Sequence, residues 1–310
     1  MSEPIIITKA LTKVYGKKVA VDHLTMSVEE GEIFGLLGPN GAGKTTTLLM
    51  LLGLTVPTSG TATVCGYDVV KNSRDVRKVV GALPEFAGLY EDMTARENLL
   101  YIAALNGIPK RSAEERIMAL LETVDLVSES DTKVGKFSRG MRQRLGIAQA
   151  LIKDPRVLLL DEPTIGVDPR GTKEIRELIL RLNRERKLTV ITSSHLLYEV
   201  QQFCTRVGIM RQGKMVAMDT IDNLSKNISE KEGMRLEIKV DRMPPELKMD
   251  IEGIPGVVSV DLISDRIFVQ MVRDVSGEVS KSITRHGCNI LLMRSNEHPL
   301  EEIFMKYYGE

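Results

Sequence analysis

The stretch Gly38-Pro39-Asn40-Gly41-Ala42-Gly43-Lys44-Thr45 constrains this chain more than any other. Glycines at 38, 41 and 43 let the backbone curl until successive N–H groups point inward, forming a nest for phosphate oxygens. Ile33-Phe34-Gly35-Leu36-Leu37 before it reads as a buried strand, and Thr46 to Leu52 after it reads as a helix. In that setting Lys44 reaches the β- and γ-phosphates and Thr45 offers its hydroxyl to Mg²⁺, while the helix N-terminus adds partial positive charge. Pro39, Asn40, Ala42 and Thr46 belong to the same phosphate-facing set. These features predict a nucleoside triphosphate site in an α/β fold.

Two further strands end in chemistry. Val157-Leu158-Leu159-Leu160 suits a buried parallel strand and runs into Asp161-Glu162-Pro163. Acids at such a tip lie at the mouth of the sheet, where ligands bind. Asp161 is expected to hold Mg²⁺ through its water shell, and Glu162 to act as general base on the attacking water. Val190-Ile191-Thr192-Ser193-Ser194-His195 is another strand with a polar tip. Between the first two motifs, Phe137-Ser138-Arg139-Gly140-Met141-Arg142-Gln143-Arg144 precedes a run with apolar residues at 145, 148, 151 and 152. Ser138 and Gly140 therefore fall at a helix N-terminus, a second anion site.

With these motifs in this order, the chain resembles the ATP-binding cassette (ABC) ATPases from residue 1 to about 225. The segment at Ser138 is similar to their Leu-Ser-Gly-Gly-Gln signature, with Phe137, Arg139 and Met141 in place of the leucine, first glycine and glutamine. That form, with Gln143-Arg144 downstream, looks like the subgroup driving ABC-2-type exporters. The resemblance implies a P-loop NTPase cassette with a mixed sheet core, an antiparallel β subdomain and a helical subdomain. It implies ATP and Mg²⁺ as cofactors, Tyr15 stacking on adenine, and His195 contacting the γ-phosphate. It also implies a loop at 163–169 that crosses to a partner, here carrying Ile165 and Val167 where a small polar residue and a leucine are usual.

Such cassettes pair head to tail, so ATP lies between one chain's phosphate loop and the other's Ser138–Gly140 helix end. The implied partners are a second ABC ATPase chain, as homodimer or heterodimer, and an integral membrane permease subunit. The implied location is cytoplasmic, peripheral on the membrane's inner face through that permease. The family glutamine that approaches Mg²⁺ is replaced by Glu85, after Pro84. A carboxylate there is a hard oxygen ligand for the metal. The alternative is that Glu85 faces solvent or a basic residue on the partner.

Composition bounds the remaining classes. Lys+Arg and Asp+Glu both number 42, so no overall basic field favours nucleic acid, and none is expected as a partner. Cys65, Cys204 and Cys288 have no metal-type spacing, and an odd count argues against a disulfide framework. No basic-then-apolar leader marks the N-terminus for secretion. Residues 45–67 carry no charge, but Pro57, Ser59 and Gly60 divide them into a short helix and a strand. A cassette that moves no solute and works on ribosomes or nucleic acid is the alternative to a transporter subunit.

The division expected is an ATPase domain at 1–227, with its helical subdomain at about 88–150, and an accessory domain at 228–310. Thr94-Ala95-Arg96-Glu97 and Ser112-Ala113-Glu114-Glu115 both fit the capping-box form at helix starts. Lys78 to Leu83 reads as a strand, and Arg206–Met210 with Met215–Met218 as a hairpin around Gln212-Gly213. The tail reads strand-helix-strand-strand-helix-strand, which fits a ferredoxin-like α+β module. Its Pro299–Tyr308 run has a helical apolar face, and His286 and His298 read as surface or capping residues. This module suits contacts between chains, or serves stability alone.

Overall fold

In the computed structural model, residues 4–224 and 234–296 are described. The Pro299–Tyr308 helix, His298 and the 227/228 boundary fall outside them. The chain divides into two compact units between Met218 and Asp219.

The first unit is organised by short, wholly buried strands. These are β3 (Ile33–Leu37), β7 (Val157–Asp161) and β8 (Thr189–Ser194). Runs apolar on both faces suit the interior of a parallel sheet. With β6 (Val80–Leu83), β9 (Arg206–Arg211) and β10 (Lys214–Asp219) they form a six-stranded sheet in the order β10-β9-β3-β8-β7-β6. The pairs β6–β7, β7–β8, β8–β3 and β3–β9 are all parallel. The C-terminal tips of β3, β7 and β8 therefore share one edge. Register aligns Asp161 with Ser193 and Leu37 with Ser194, so three sequence-distant motifs converge there.

A second sheet pairs β1 (Ile6–Tyr15), β2 (Lys18–Val28), β4 (Ser59–Val64) and β5 (Tyr67–Asp68) in the order β2-β1-β4-β5, antiparallel throughout. The uncharged stretch after Lys44 folds as α1 (Lys44–Leu51) and β4. No helix among the described residues is long and apolar enough to cross a membrane. Gln212 and Gly213 turn the β9–β10 hairpin with φ of 48° and 82°, as a tight primed turn requires. Gly213 N–H also donates to Ala42 O at 3.0 Å, bracing the phosphate loop.

Two local expectations are corrected. Lys78 and Val79 belong to α2 (Ser73–Val79), and β6 starts only at Val80. Lys78 Nζ reaches Asp75 Oδ1 at 2.8 Å, a contact that three-residue helical spacing brings together. Arg77 and Lys78 also complement the helix C-terminus. Thr94 does cap α3 (Ala95–Leu105) through a full capping box with Glu97. Ser112, in contrast, lies inside α4 (Lys110–Thr123), with Oγ donating to Pro109 O at 2.9 Å. Pro109, with its ring-fixed φ of −59°, takes the cap position and starts the helix early.

The second unit is a four-stranded antiparallel sheet of β11 (Met234–Val240), β12 (Val257–Ile263), β13 (Arg266–Met271) and β14 (Ile290–Asn296). The order β12-β13-β11-β14, with helices Leu247–Glu252 and Ser276–Arg285, is the ferredoxin-like arrangement. Leu236, Ile238, Ile267 and Val269 face the core with Leu247, Ile251, Val279 and Ile283. Glu237 points to the other face yet is only 1% exposed. Arg266 donates to its Oε1, and Arg294 Nε donates to Oε2 at 2.7 Å. These guanidiniums, winning against desolvation, hold its carboxyl below the usual range. His286 caps the helix Ser276–Arg285, its Nε2 lying 2.7 Å from Asp250 Oδ2.

Candidate active site

The phosphate loop needs its glycines for two separate reasons. Gly41 and Gly43 adopt φ of 82° and 107°, which a side chain would strain. A Cβ on Gly38 would fall 2.5 Å from Met210 O, so sterics exclude one there. The loop opens on a cavity of about 350 Å³ lined by Asn40 to Thr46, Lys18, Glu85, Glu162 and Ile165. The first-turn N–H groups of α1 have no intrahelical acceptor and face this end of the helix. Lys44 is 6% exposed, and its Nζ donates to Gly38 O at 2.7 Å.

Glu162 is the most constrained side chain of the site. Its φ is +49°, a left-handed conformation costing about 1–3 kcal/mol for a residue with a Cβ. Ser193 Oγ accepts from its N–H at 2.9 Å and donates to Asp161 Oδ1 at 2.5 Å. Two residues further, Thr164 Oγ1 donates to Glu199 Oε2. A hydrogen bond to a charged acceptor stabilises by about 1.5–3 kcal/mol, the size of the strain. His195 Nδ1 donates to Glu162 Oε2 at 2.9 Å, since a carboxylate only accepts. Glu162 Oε1 lies 3.2 Å from Lys44 Nζ, an ion contact without hydrogen-bond geometry, and is buried with no hydrogen-bond partner. The site thus contains a fixed carboxylate with one oxygen unsatisfied beside the phosphate loop.

The donor set suits a hard cation held mostly by substrate and water. Thr45 lines the phosphate cavity, and it meets Asp161 at the rim of a separate, mostly leucine-lined cleft against α1. Among the described residues no cluster of three or more His, Cys, Asp or Glu could form a protein-only metal cage. One carboxylate and one hydroxyl beside a phosphate seat match the way Mg²⁺ binds in nucleotide sites.

The structure brings Gly38 to Thr46, Asp161, Glu162 and His195 to one sheet edge, with Glu85 half-buried in the same cavity lining. Tyr15 ends β1, half-exposed, and pairs with Lys18, itself a cavity residue; Lys13 Nζ stands 4.9 Å from its ring centre. Ser138 and Gly140 do not line this cavity. Ser138 Oγ accepts from Met141 N–H at 3.2 Å, capping α5 (Arg139–Leu151). Beside it, the Arg139 guanidinium lies against Gly166, whose φ is +66°. Sequence reasoning missed Ser193, Thr164 and Glu199. Small polar residues at an apolar strand's tip were the available signal for the first, and Glu199 gave none.

Fold and site together define a P-loop nucleotide triphosphatase of the cassette type. A family model described as "ABC transporter" matches residues 21–165. The chain is 40% identical over 306 residues to the bacitracin transport ATP-binding protein BcrA of Bacillus licheniformis, covering 98% of this chain and 97% of that protein. It is 34% identical to the linearmycin resistance ATP-binding protein LnrL of Bacillus subtilis, covering 96% of each. The Nod factor export ATP-binding protein I of Burkholderia pseudomallei is 43% identical over 70% of this chain and 71% of its own length. Among solved structures, a dimeric ATP-binding cassette bound to ADP and Pi superposes with TM-score 0.63 at 25% identity, covering 70% of this chain and 98% of that one. The chain belongs to the ABC transporter family, as an ATP-binding and ATP-hydrolysing subunit of the exporter type.

Proposed function

We infer that two cassettes, this chain with a second copy or a homologue, close on ATP and drive a separate membrane permease. The working part is residues 1–227, held at the cytoplasmic membrane face through that permease. Lys44 and the loop N–H groups hold the β- and γ-phosphates, while the partner's Ser138–Gly140 helix end meets the γ-phosphate from the other side. Tyr15 stacks on the adenine ring. Glu162 Oε1 takes a proton from water as the water oxygen bonds to the γ-phosphorus, and the β–γ bridging bond breaks toward ADP. His195 fixes the carboxylate through Oε2. Mg²⁺, when bound, would be held by Thr45, Asp161 and Glu85 and would neutralise charge on the phosphate oxygens. The observation that carries this reading is the buried, unsatisfied Glu162 oxygen beside Lys44.

ATP in the interface holds the pair together, and hydrolysis releases it, so the cycle is a population shift between closed and open pairs. For cargo, we favour compounds of the kind named in the two full-length relatives, bacitracin and linearmycin. Both relatives align across the C-terminal module, whereas the Nod factor relative aligns over 217 residues only. The test is co-production of this chain with its permease in a sensitive host. Increased resistance to either compound, lost with Glu162→Gln, is expected; unchanged sensitivity would overturn the cargo reading.

A further inference from the structure

Besides the His195 contact to the Glu162 carboxylate, the loop carrying Glu162 is held at two points by the same segment, and neither hold lines the phosphate cavity. That segment is β8 with the helix that follows it, α7 (Leu197–Gln201). Upstream, Ser193 fixes Asp161 Oδ1 and the Glu162 N–H. Downstream, buried Thr164 donates to the carboxylate of Glu199. Glu162 sits between the two holds in its left-handed conformation. Of the remaining local bonds, Ile165 N–H to Glu162 O at 3.2 Å closes only a turn within the loop itself.

We propose that Glu199 is a positioning residue for hydrolysis, acting through Thr164 to keep Glu162 in the strained conformation that leaves Oε1 facing the phosphate loop. Without the downstream hold, residues 163–165 can rotate, and Glu162 relaxes toward negative φ. That rotation carries its carboxylate away from Lys44 and His195. A carboxylate acceptor suits this task because a charge-assisted hydrogen bond is shorter and stronger than a neutral one. Placement matters as much as strength. His195 and Glu199 lie four positions apart on the same segment, so the contact on the Glu162 carboxylate and the downstream hold on Thr164 move as a unit. A displacement of α7 therefore changes how the base is aimed without any contact to nucleotide. This inference rests on the reading of Glu162 as general base.

The test is steady-state ATP hydrolysis and ATP binding by the full-length chain. Glu199→Ala and Thr164→Val should each lower kcat about tenfold or more while KM for ATP stays within about twofold, the signature of lost transition-state geometry. Glu199→Gln, which keeps an acceptor oxygen, and Thr164→Ser, which keeps the hydroxyl, should recover most of the rate. The double variant Glu199→Ala/Thr164→Val should be no slower than either single one, because both remove the same bond. Thr164→Val is nearly isosteric and preserves folding should Glu199→Ala disturb it. Unchanged kcat in Thr164→Val, losses that multiply in the double variant, or no recovery with Glu199→Gln would overturn the proposal. A melting temperature lowered in both variants with full kcat in the folded protein would overturn it as well. Glu162→Gln serves as control: full activity there would remove the general-base reading itself, before Glu199 is weighed.

Discussion

Glu162 in the cassette and Glu237 in the ferredoxin-like unit are both buried glutamates beside a cation, and the two are finished differently. Glu237, in the ferredoxin-like unit, has both oxygens taken by arginine: Oε1 by Arg266 and Oε2 by Arg294. Glu162, in the cassette, has one oxygen fixed by His195 and the other left in a lysine's field with no hydrogen bond. Both are nearly inaccessible, at 1% and 8% exposed. Burial alone therefore does not mark chemistry. A buried carboxylate with both oxygens paired is part of the framework; one with an oxygen kept open toward a ligand cavity is available to take a proton. The backbone repeats the contrast, since Glu237 lies in a regular strand and Glu162 at φ +49°.

The sharpest way to break this comparison is to replace each acid. Glu162→Gln keeps shape but removes proton acceptance, so kcat should fall roughly 10²–10⁴-fold, about 2.7–5.5 kcal/mol of barrier. ATP should still bind, because Lys44 and Thr45 remain, and a long-lived ATP-bound pair should accumulate on size-exclusion chromatography. Normal turnover would end the case for Glu162. Glu237→Ala should leave ATPase unchanged but destabilise the C-terminal unit by about 1–3 kcal/mol, less than for a fully buried pair because both arginines can reach water. Calorimetry of the full chain measures this, and a drop in kcat with unchanged melting would reverse the two assignments.

Smaller effects sharpen the picture. Glu85→Gln should raise the Mg²⁺ concentration for half-maximal ATPase and leave the saturated rate within about tenfold, or 1.4 kcal/mol. Superimposable Mg²⁺ titrations would assign Glu85 to partner contact instead. Acid should also separate the two units. Glu237 has a folded pKa below its ordinary 4.5, so it binds its proton later in the folded than in the unfolded chain. Its contribution is complete above the unfolded value and is lost as pH falls through the folded one. Melting of the C-terminal unit should therefore drop steeply below about pH 4.5 in the native chain and less steeply in Glu237→Ala. Equal slopes would remove the linkage.

What could be read from sequence follows chain continuity. The phosphate loop and Asp161-Glu162 each sit in a few consecutive residues at the end of an apolar run, so local pattern singled them out, whereas the role expected of His195 came from the family resemblance. The order of elements in the tail likewise suggested a ferredoxin-like sheet, since that topology follows from strand and helix succession. Contacts between distant hydroxyls and carboxylates left no such trace. Thr164 and Glu199 are 35 residues apart, and each alone resembles an ordinary polar residue. Glu237 was hidden by alternation, where a charged residue on one face of a strand looks solvated. Ser112 misled because its motif matched a capping box while Pro109, three residues earlier, had already begun the helix.

Arg139 and Gly166 carry a consequence for how this sequence can drift. A Cβ at 166 would stand 2.9 Å from the Arg139 guanidinium, in a backbone conformation that already disfavours one. The guanidinium is the far end of a flexible side chain and can swing aside, so the positive φ of 66° is what keeps a side chain out of position 166. With glycine in place, 139 can vary while the turn persists. Random mutagenesis selected for ATPase should thus recover changes at 139 readily, and changes at 166 rarely whatever residue stands at 139.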